Sequence, residues 1–372
     1  MVLMVCNSIF QLFTAIAIRL SFMKDREVDL ILTDSTPAFE QLTTDKRLNL
    51  LFHKVYYREV NKNLNSLNRL EKSRYFRGIM ELFPAYYIKK VWQLEEANYN
   101  ELYFSMFNEF NIRLQSYMYR KNKQLKTHLF EDGISTYIID PNYKWTIPVF
   151  LRNILQVKGL EKTLTDIYLF EPQLMCVGNG RKIVKIPNVL EIPGFLPVFD
   201  EIMGANMQEI HEKFIFFEES FYGDGYTTND SFLIDSLWNW CHKNNFILKH
   251  HPRNTENRFA DKLPTIEFPM FWEHYFLKQN FNDKVIVTVS SNTAFVPYIL
   301  AKKKPTIVLL YKIFNGTSPI LGCGQFENYV EKYKEYTEAK LYIPQSVDEN
   351  RELIEKMRKD RKQYEGSSFG AN

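Results

Sequence analysis

Short apolar runs alternate with longer amphipathic ones from the start of the chain. "VLMVC" (2–6) is rich in β-formers and is followed by Asn7-Ser8. "IFQLFTAIAIRLSFMK" then places Ile9, Leu12, Phe13 and Ile16 on one side of a helix. "VDLILTD" (28–34) is a second buried-strand pattern, so the opening predicts strand, helix, strand. That order favours a parallel sheet with crossover helices. "ELYFSMF" (101–107) and "LKTHLFED" (125–132) predict further strands in the same layer, with helical stretches such as "LNSLNRLEKSRYFRGIMELF" between the elements.

Between residues 148 and 205 the pattern changes. "CVGNGRKIVKIPNVLEIPGFLP" sets three prolines and a Gly-Asn-Gly among short apolar runs, which predicts a hairpin and an inter-domain connector. Gly178-Asn179-Gly180 lacks the third glycine of a dinucleotide fingerprint and reads as a turn. Strand signals resume at "KFIFFEES" (213–220), "FILKHHPR" (246–253), "KVIVTVSSNTAFVPYILAKKKPTIVLL" (284–310) and "AKLYIP" (339–344). A helix from "NDSFLIDSLWNWCHKN", with Asp230 near its N-cap, and a charged last helix from Val347 to about Tyr364 complete the alternation. The chain divides into an N-terminal domain with connector, residues 1–205, and a C-terminal domain, residues 206–372. Both are Rossmann-like α/β domains, facing a central cleft.

Composition narrows the class. At 372 residues with 45% hydrophobic and 24% charged residues, the chain has an ordinary globular make-up and length enough for two domains. The net charge of +3 does not argue for nucleic acid, and the basic "KMRKDRKQ" reads first as a solvated helix face. Its second reading is a peripheral contact with an anionic membrane at the inner face of the cell membrane. Cys6, Cys176, Cys241 and Cys323 are scattered without paired spacing, the pattern of free thiols in a reducing compartment. The first twenty residues lack a basic n-region and a cleavage site, and no apolar segment approaches the ~20 residues of a bilayer span. A cytoplasmic protein is expected.

Three short motifs fall at predicted strand ends, where ligands gather in open α/β sheets. Glu131-Asp132-Gly133 is either a turn or a pair of carboxylates whose repulsion lifts one toward general-base range. His250-His251-Pro252-Arg253 is either a loop with incidental histidines or a proton donor beside a guanidinium, suited to phosphate. Ser290-Ser291-Asn292-Thr293 is either an N-cap or a set of hydroxyls and backbone N–H groups offered to an anion. Neither H-E-x-x-H, nor a Cys cluster, nor Asp-x-Asp occurs in the sequence, so no metal and no other cofactor is expected.

Together, "FEDGIS", "KHHPR" and "VSSNTAF" resemble, in order, the (D/E)-(D/E)-G, His-Pro and Ser-Ser/Thr marks of bacterial sialyltransferases. "VLMVCNSIFQLFTAIAIRL" also resembles the first strand and helix of glycosyltransferase family 52, the lipooligosaccharide and capsule sialyltransferases. The resemblance implies a GT-B fold and inverting, metal-independent transfer of sialic acid from CMP-sialic acid to a glycan hydroxyl. It favours a terminal galactose of a bacterial surface polysaccharide or lipooligosaccharide as acceptor, bound largely by the first domain, with CMP bound by the second.

By the same resemblance Asp132 is the general base and Gly133 the turn that presents it. His251 protonates or hydrogen-bonds the departing phosphate, with Pro252 and Arg253 beside it. Ser290 and Ser291, followed by Asn292, hold that phosphate. Family 52 has also placed its base after the first strand of the second domain, where "FIFFEESFYGDG" offers Glu218, Glu219 and Asp224. Glu219 is therefore the alternative base. Residues of "IEFPMFWEH" (266–274) are candidates for the cytidine. The polysialyltransferase group, another GT-B enzyme using a different CMP- or UDP-sugar, and a non-catalytic nucleotide- or glycan-binding component are the alternatives. The sequence leaves a homodimer open.

Overall fold

A computed structural model gives the architecture of this chain. It describes residues 1–66, 73, 76, 83–91, 98–140, 163–178, 180–204, 209–241, 245–251, 253–254, 256–266, 272–316, 318 and 320–367. The chain separates into two compact units, Met1–Ala205 and Asn206–Asn372.

The first unit is built on seven parallel strands. In chain order they are β1 Val2–Cys6, β2 Val28–Thr33, β3 Lys54–Arg58, β4 Glu101–Phe104, β5 Lys126–Phe130, β6 Leu164–Leu169 and β7 Lys182–Lys185. Their spatial order is β3-β2-β1-β4-β5-β6-β7, so the winding direction reverses between β1 and β4. Strands covered on both faces are mainly apolar, and every residue of β1 and β2 is buried, the Asp29 carboxyl of β2 being held by Tyr99 and His53. The helix Ile9–Phe22 opens on Ser8, whose hydroxyl accepts from the N–H of Gln11, and is buried from Phe10 to Ile18.

The predicted hairpin near residue 180 is not formed. β7 runs parallel to β6, and the helix Phe195–Met203 packs Phe195 and Phe199 on Phe13. The segment therefore finishes the first unit. Gly180 and Gly194 still supply the turns, both at positive φ, whereas Asn179 lies outside the described residues. Most of the helical stretch at residues 64–83 also lies outside them.

The second unit repeats the plan with six parallel strands in the order β10-β9-β8-β11-β12-β13. They are β8 Phe214–Phe217, β9 Phe246–Lys249, β10 Thr265–Ile266, β11 Val285–Thr288, β12 Thr306–Leu309 and β13 Leu341–Tyr342. On one face Phe214, Phe216, Phe246, Val285 and Val287 meet Leu233, Ile234 and Leu237 of the helix Asp230–Cys241, together with Ile354 and Met357 of the helix Val347–Ser367. The winding reverses between β8 and β11. In both units, then, the crevice at the carboxyl ends of the central strands is where a doubly wound sheet binds its ligand.

Candidate active site

In the first unit the acidic pair leaves the end of β5 and its two members part company. Glu131 is fully buried. Its Oε2 accepts from the Tyr137 hydroxyl at 2.6 Å and from the Phe170 N–H at 2.8 Å. Oε1 has no hydrogen-bond partner among the described residues, which suits a neutral acid better than a carboxylate. Burial pushes this carboxyl up to about 8, against the two donors that favour its charge. Glu131 thus ties β5 to the exit of β6 and is a structural acid.

That state has a consequence for stability. The folded protein keeps the Glu131 proton up to about 8, whereas an unstrained glutamate releases it near 4.5. Folded chains therefore hold more protons between those values, and stability falls as pH rises through the window. Glu131→Gln is expected to be near neutral at pH 5. It should become stabilising by on the order of 4 kcal/mol above pH 8.5, because each pH unit of that window is worth about 1.4 kcal/mol. Denaturant unfolding of both proteins at the two pH values checks this; parallel pH dependence would show that Glu131 is ionised in the folded state.

Asp132 keeps part of its surface open. Its backbone N–H donates to Thr136 Oγ1 at 2.8 Å, and its carbonyl accepts from the Ser135 hydroxyl. Gly133 has φ 72° and ψ −152°, a combination that suits only a residue without Cβ. The turn lets the helix Ile134–Ile138 start at once and leaves the Asp132 carboxyl beside β1. There burial pushes it up to about 6, while a hydrogen bond from Gln11 opposes the rise. A half-buried carboxylate in this range can take a proton near neutral pH.

In the second unit the motifs stand at the ends of three neighbouring strands, β9, β8 and β11. Glu218, at the end of β8, has a side chain that is 0% exposed. Its Oε1 accepts from Arg258 at 2.8 Å, and its Oε2 accepts from the backbone N–H of His251 at 3.1 Å and lies 2.9 Å from His250 Nδ1. Arg258 also binds Asp230 at 2.7 Å and Ser231 at 2.8 Å. A half-buried cation between two buried carboxylates thus anchors the loop after β9 to the exit of β8.

Asn254 closes the same loop. Its Nδ2 donates to the carbonyl of Glu219, its Oδ1 accepts from the N–H of Gly223, and its carbonyl lies 2.7 Å from His250 Nε2. Gly223 approaches so closely that a Cβ there would sit 2.4 Å from the carbonyl oxygen of Arg253.

His251 is held by its own backbone. The N–H of Arg253 donates to His251 Nδ1 at 3.1 Å, so a neutral ring carries its proton on Nε2. Burial, helped by the charge of Arg253, lowers this imidazole to about 4. In the free protein His251 is therefore a neutral donor, and an arriving phosphate raises its basicity by adding negative charge. The Arg253 guanidinium is exposed, with Asp224 3.5 Å away. Pro252 lies outside the described residues.

The serine pair is split. Ser290 is 0% exposed, and its N–H and hydroxyl both donate to Glu219, at 2.6 and 3.0 Å. Thr288 adds a hydroxyl to the same carboxyl, which burial nonetheless pushes up to about 7. Glu219 and Ser290 so form an internal clasp between β8 and β11. Ser291, Asn292 and Thr293 are half-buried, and the Ser291 oxygen caps the turn at the N–H of Thr293.

Sequence reading passed over Gln11, Asn254, Arg258 and Lys249. Lys249 ends β9, buried, and burial lowers its ammonium to about 8. Nearby are the half-buried Glu273, raised by burial, and Trp272, whose Nε1 has no partner among the described residues. Residues 267–271 of the stretch offered for cytidine lie outside the described residues. A lysine directly before His-His was the one visible signal for this cluster. Among the described residues, no group of three His, Cys, Asp or Glu side chains is placed to hold a metal ion, and no helix is long and apolar enough to cross a membrane. All four cysteines are free.

No protein-family model matches the chain, and no curated protein does. Solved structures do. The glycotransferase of kitacinnamycin superposes with a TM-score of 0.50 at 8% identity, over 97% of this chain and 90% of that one. Arabidopsis thaliana UGT89C1 complexed with UDP-L-rhamnose gives 0.49 at 9% identity, over 96% and 89%. The spinosyn forosaminyltransferase SpnP gives 0.48 at 10%, over 96% and 94%. At these identities the likeness is one of fold, and of these three only the first reaches a TM-score of 0.5. With two doubly wound parallel-sheet domains in one polypeptide, the chain has the GT-B fold.

Proposed function

We propose that this protein is a glycosyltransferase, and specifically an inverting sialyltransferase that uses CMP-sialic acid. The observation that supports it is the placement of the three motifs. Each stands at the carboxyl end of a strand: the serines after β11, which borders the winding reversal of its sheet, and the acid after β5 and the histidine after β9, each one strand removed from a reversal.

In this reading Asp132 takes the proton of an acceptor hydroxyl as its oxygen attacks the anomeric carbon. The bond from that carbon to the CMP phosphate oxygen breaks through an oxocarbenium-like transition state. His251 donates from Nε2 to the leaving phosphate, and Arg253 adds its fork of N–H groups from the rim. Ser291 and Asn292 hold the phosphate from the far side. Ser290 acts behind them, keeping Glu219 fixed. The clasp favours Asp132 over Glu219 as base, because Glu219 already accepts three hydrogen bonds from its own sheet. The acceptor is a galactose-terminated glycan, and no metal takes part: a single phosphate leaves, and a cation with a neutral donor suffices to receive it. The polysialyltransferase reading differs only in acceptor.

The test is product analysis with CMP-sialic acid in EDTA, using lactose-type and sialylated acceptors. Sialylated lactose with release of CMP is expected, and CMP rather than UDP should raise the thermal midpoint. Stabilisation by UDP alone would point to another donor. Activity that returns only with manganese would remove the metal-independent mechanism. CMP binding without turnover of donor and acceptor would make the protein a binding component.

A further inference from the structure

His250 is the member of the histidine pair that the proposed chemistry leaves without a task. It follows β9 directly, and its side chain is 13% exposed. Both of its ring nitrogens face acceptors. Nδ1 lies 2.9 Å from Glu218 Oε2, and Nε2 lies 2.7 Å from the carbonyl oxygen of Asn254.

A backbone carbonyl can only accept, and the Glu218 carboxylate already accepts from Arg258 on Oε1 and from the His251 N–H on Oε2. A neutral imidazole has one N–H and one lone pair. One of the two short contacts would then set a lone pair against an oxygen. Only the doubly protonated ring suits both neighbours. We propose that His250 is held as an imidazolium that latches the phosphate loop to Glu218 and Asn254, and so positions His251 for the donor. The inference rests on His251 as the partner of the donor phosphate only for its effect on binding; the state of the His250 ring stands without it.

The two latched groups are the ones that shape the loop. Glu218 holds the backbone N–H of His251, and Asn254 holds the Glu219 carbonyl and the Gly223 N–H. Loss of either ring proton turns a lone pair on one of them. Other charged groups surround the ring. Arg258 shares Glu218 with it and reaches on to Asp230. Lys249 donates from Nζ to the carbonyl of His250 at 3.2 Å. His251 and Arg253 follow in the loop, with Asp224 3.5 Å from Arg253. The cations oppose a charge on the ring, and Glu218, in direct contact, favours it. The latch is therefore present while the ring is charged and is lost as rising pH removes a proton. The same charge beside His251 adds to the causes that keep that ring neutral.

Two measurements test this. Long-range 1H–15N spectra of the protein without substrates at pH 7, assigned through the backbone, read the His250 ring directly. Two protonated nitrogens are expected; a single ring proton, on either nitrogen, overturns the proposal. Calorimetry of CMP binding to the parent and to His250→Gln reads the effect on the loop. The parent should bind about tenfold more tightly at pH 6, the scale of one charge-assisted hydrogen bond, and the ratio should close toward pH 9. The Lys249 ammonium titrates in both proteins and cancels in that ratio. Equal affinities, or a ratio that stays the same across this range, overturn the latch. Two protonated nitrogens without CMP binding by either protein uphold the charge on His250 and remove His251 as the partner of the donor phosphate.

Discussion

Asp132→Asn is expected to lower transfer by about 10²–10⁴-fold, the usual contribution of a positioned general base, with CMP binding unchanged. Asparagine keeps the shape of the side chain and can still receive the Gln11 N–H, so the turn at Gly133 should survive. What it cannot do is accept the acceptor's proton. The pH profile gives the sharper check. Burial sets the Asp132 carboxyl at about 6 in the folded chain, so activity should rise with pH through that value as the base ionises. Loss of that limb together with the rate, at constant thermal stability, identifies the base. A variant that keeps most of its activity would transfer the role to Glu219, whose own midpoint near 7 would then mark the limb.

Glu218→Ala carries the largest expected loss of stability. It removes the acceptor shared by Arg258 and the backbone N–H of His251 and leaves Arg258 with Asp230 and Ser231. Breaking a fully buried ion pair from one side costs about 3–5 kcal/mol; Arg258 is half-buried and keeps Asp230, so a loss of about 2–3 kcal/mol is expected. Trp238, Trp240 and Trp272 report on this unit, so denaturant unfolding followed by tryptophan fluorescence measures the loss. CMP binding should weaken as well, since the loop that carries His251 and Arg253 is tied down at that carboxylate. A midpoint within about 1 kcal/mol of the parent would mean that the network behaves as an exposed one.

The resemblance named three motifs, and the structure assigns them unequal work. Within Glu131-Asp132 the first acid is structural and the second is the candidate base. Within Ser290-Ser291 the first hydroxyl is turned into the sheet and the second caps the turn. Adjacent residues at a strand end point to opposite faces, so one member of each pair is committed to the interior. Sequence spacing cannot say which, because that depends on what lies beneath. Here Tyr137 and Phe170 wait under Glu131, and Glu219 under Ser290.

Much of the fold was legible from the chain alone. The alternation of apolar strands with helices is a local signal, and a strand buried on both faces has to be written mainly in apolar residues, as β1 and β8 are throughout and β2 and β11 are but for the hydrogen-bonded Asp29, Thr33 and Thr288. The signal faded where burial faded. β3 (KVYYR) and β7 (KIVK) are edge strands with charged ends, and β7 was expected in a hairpin because turn residues surround it. Local pattern was enough for the two α/β halves, the scattered cysteines and the three chemistry-bearing motifs at strand ends. It took the folded chain to bring Gln11 of the first helix to Asp132 after the fifth strand, and Arg258 back to Glu218. These pairs lie 121 and 40 positions apart in the chain. Their contact follows from the strand order, in which β1 lies next but one to β5 and β8 beside β9, and no local pattern encodes that order.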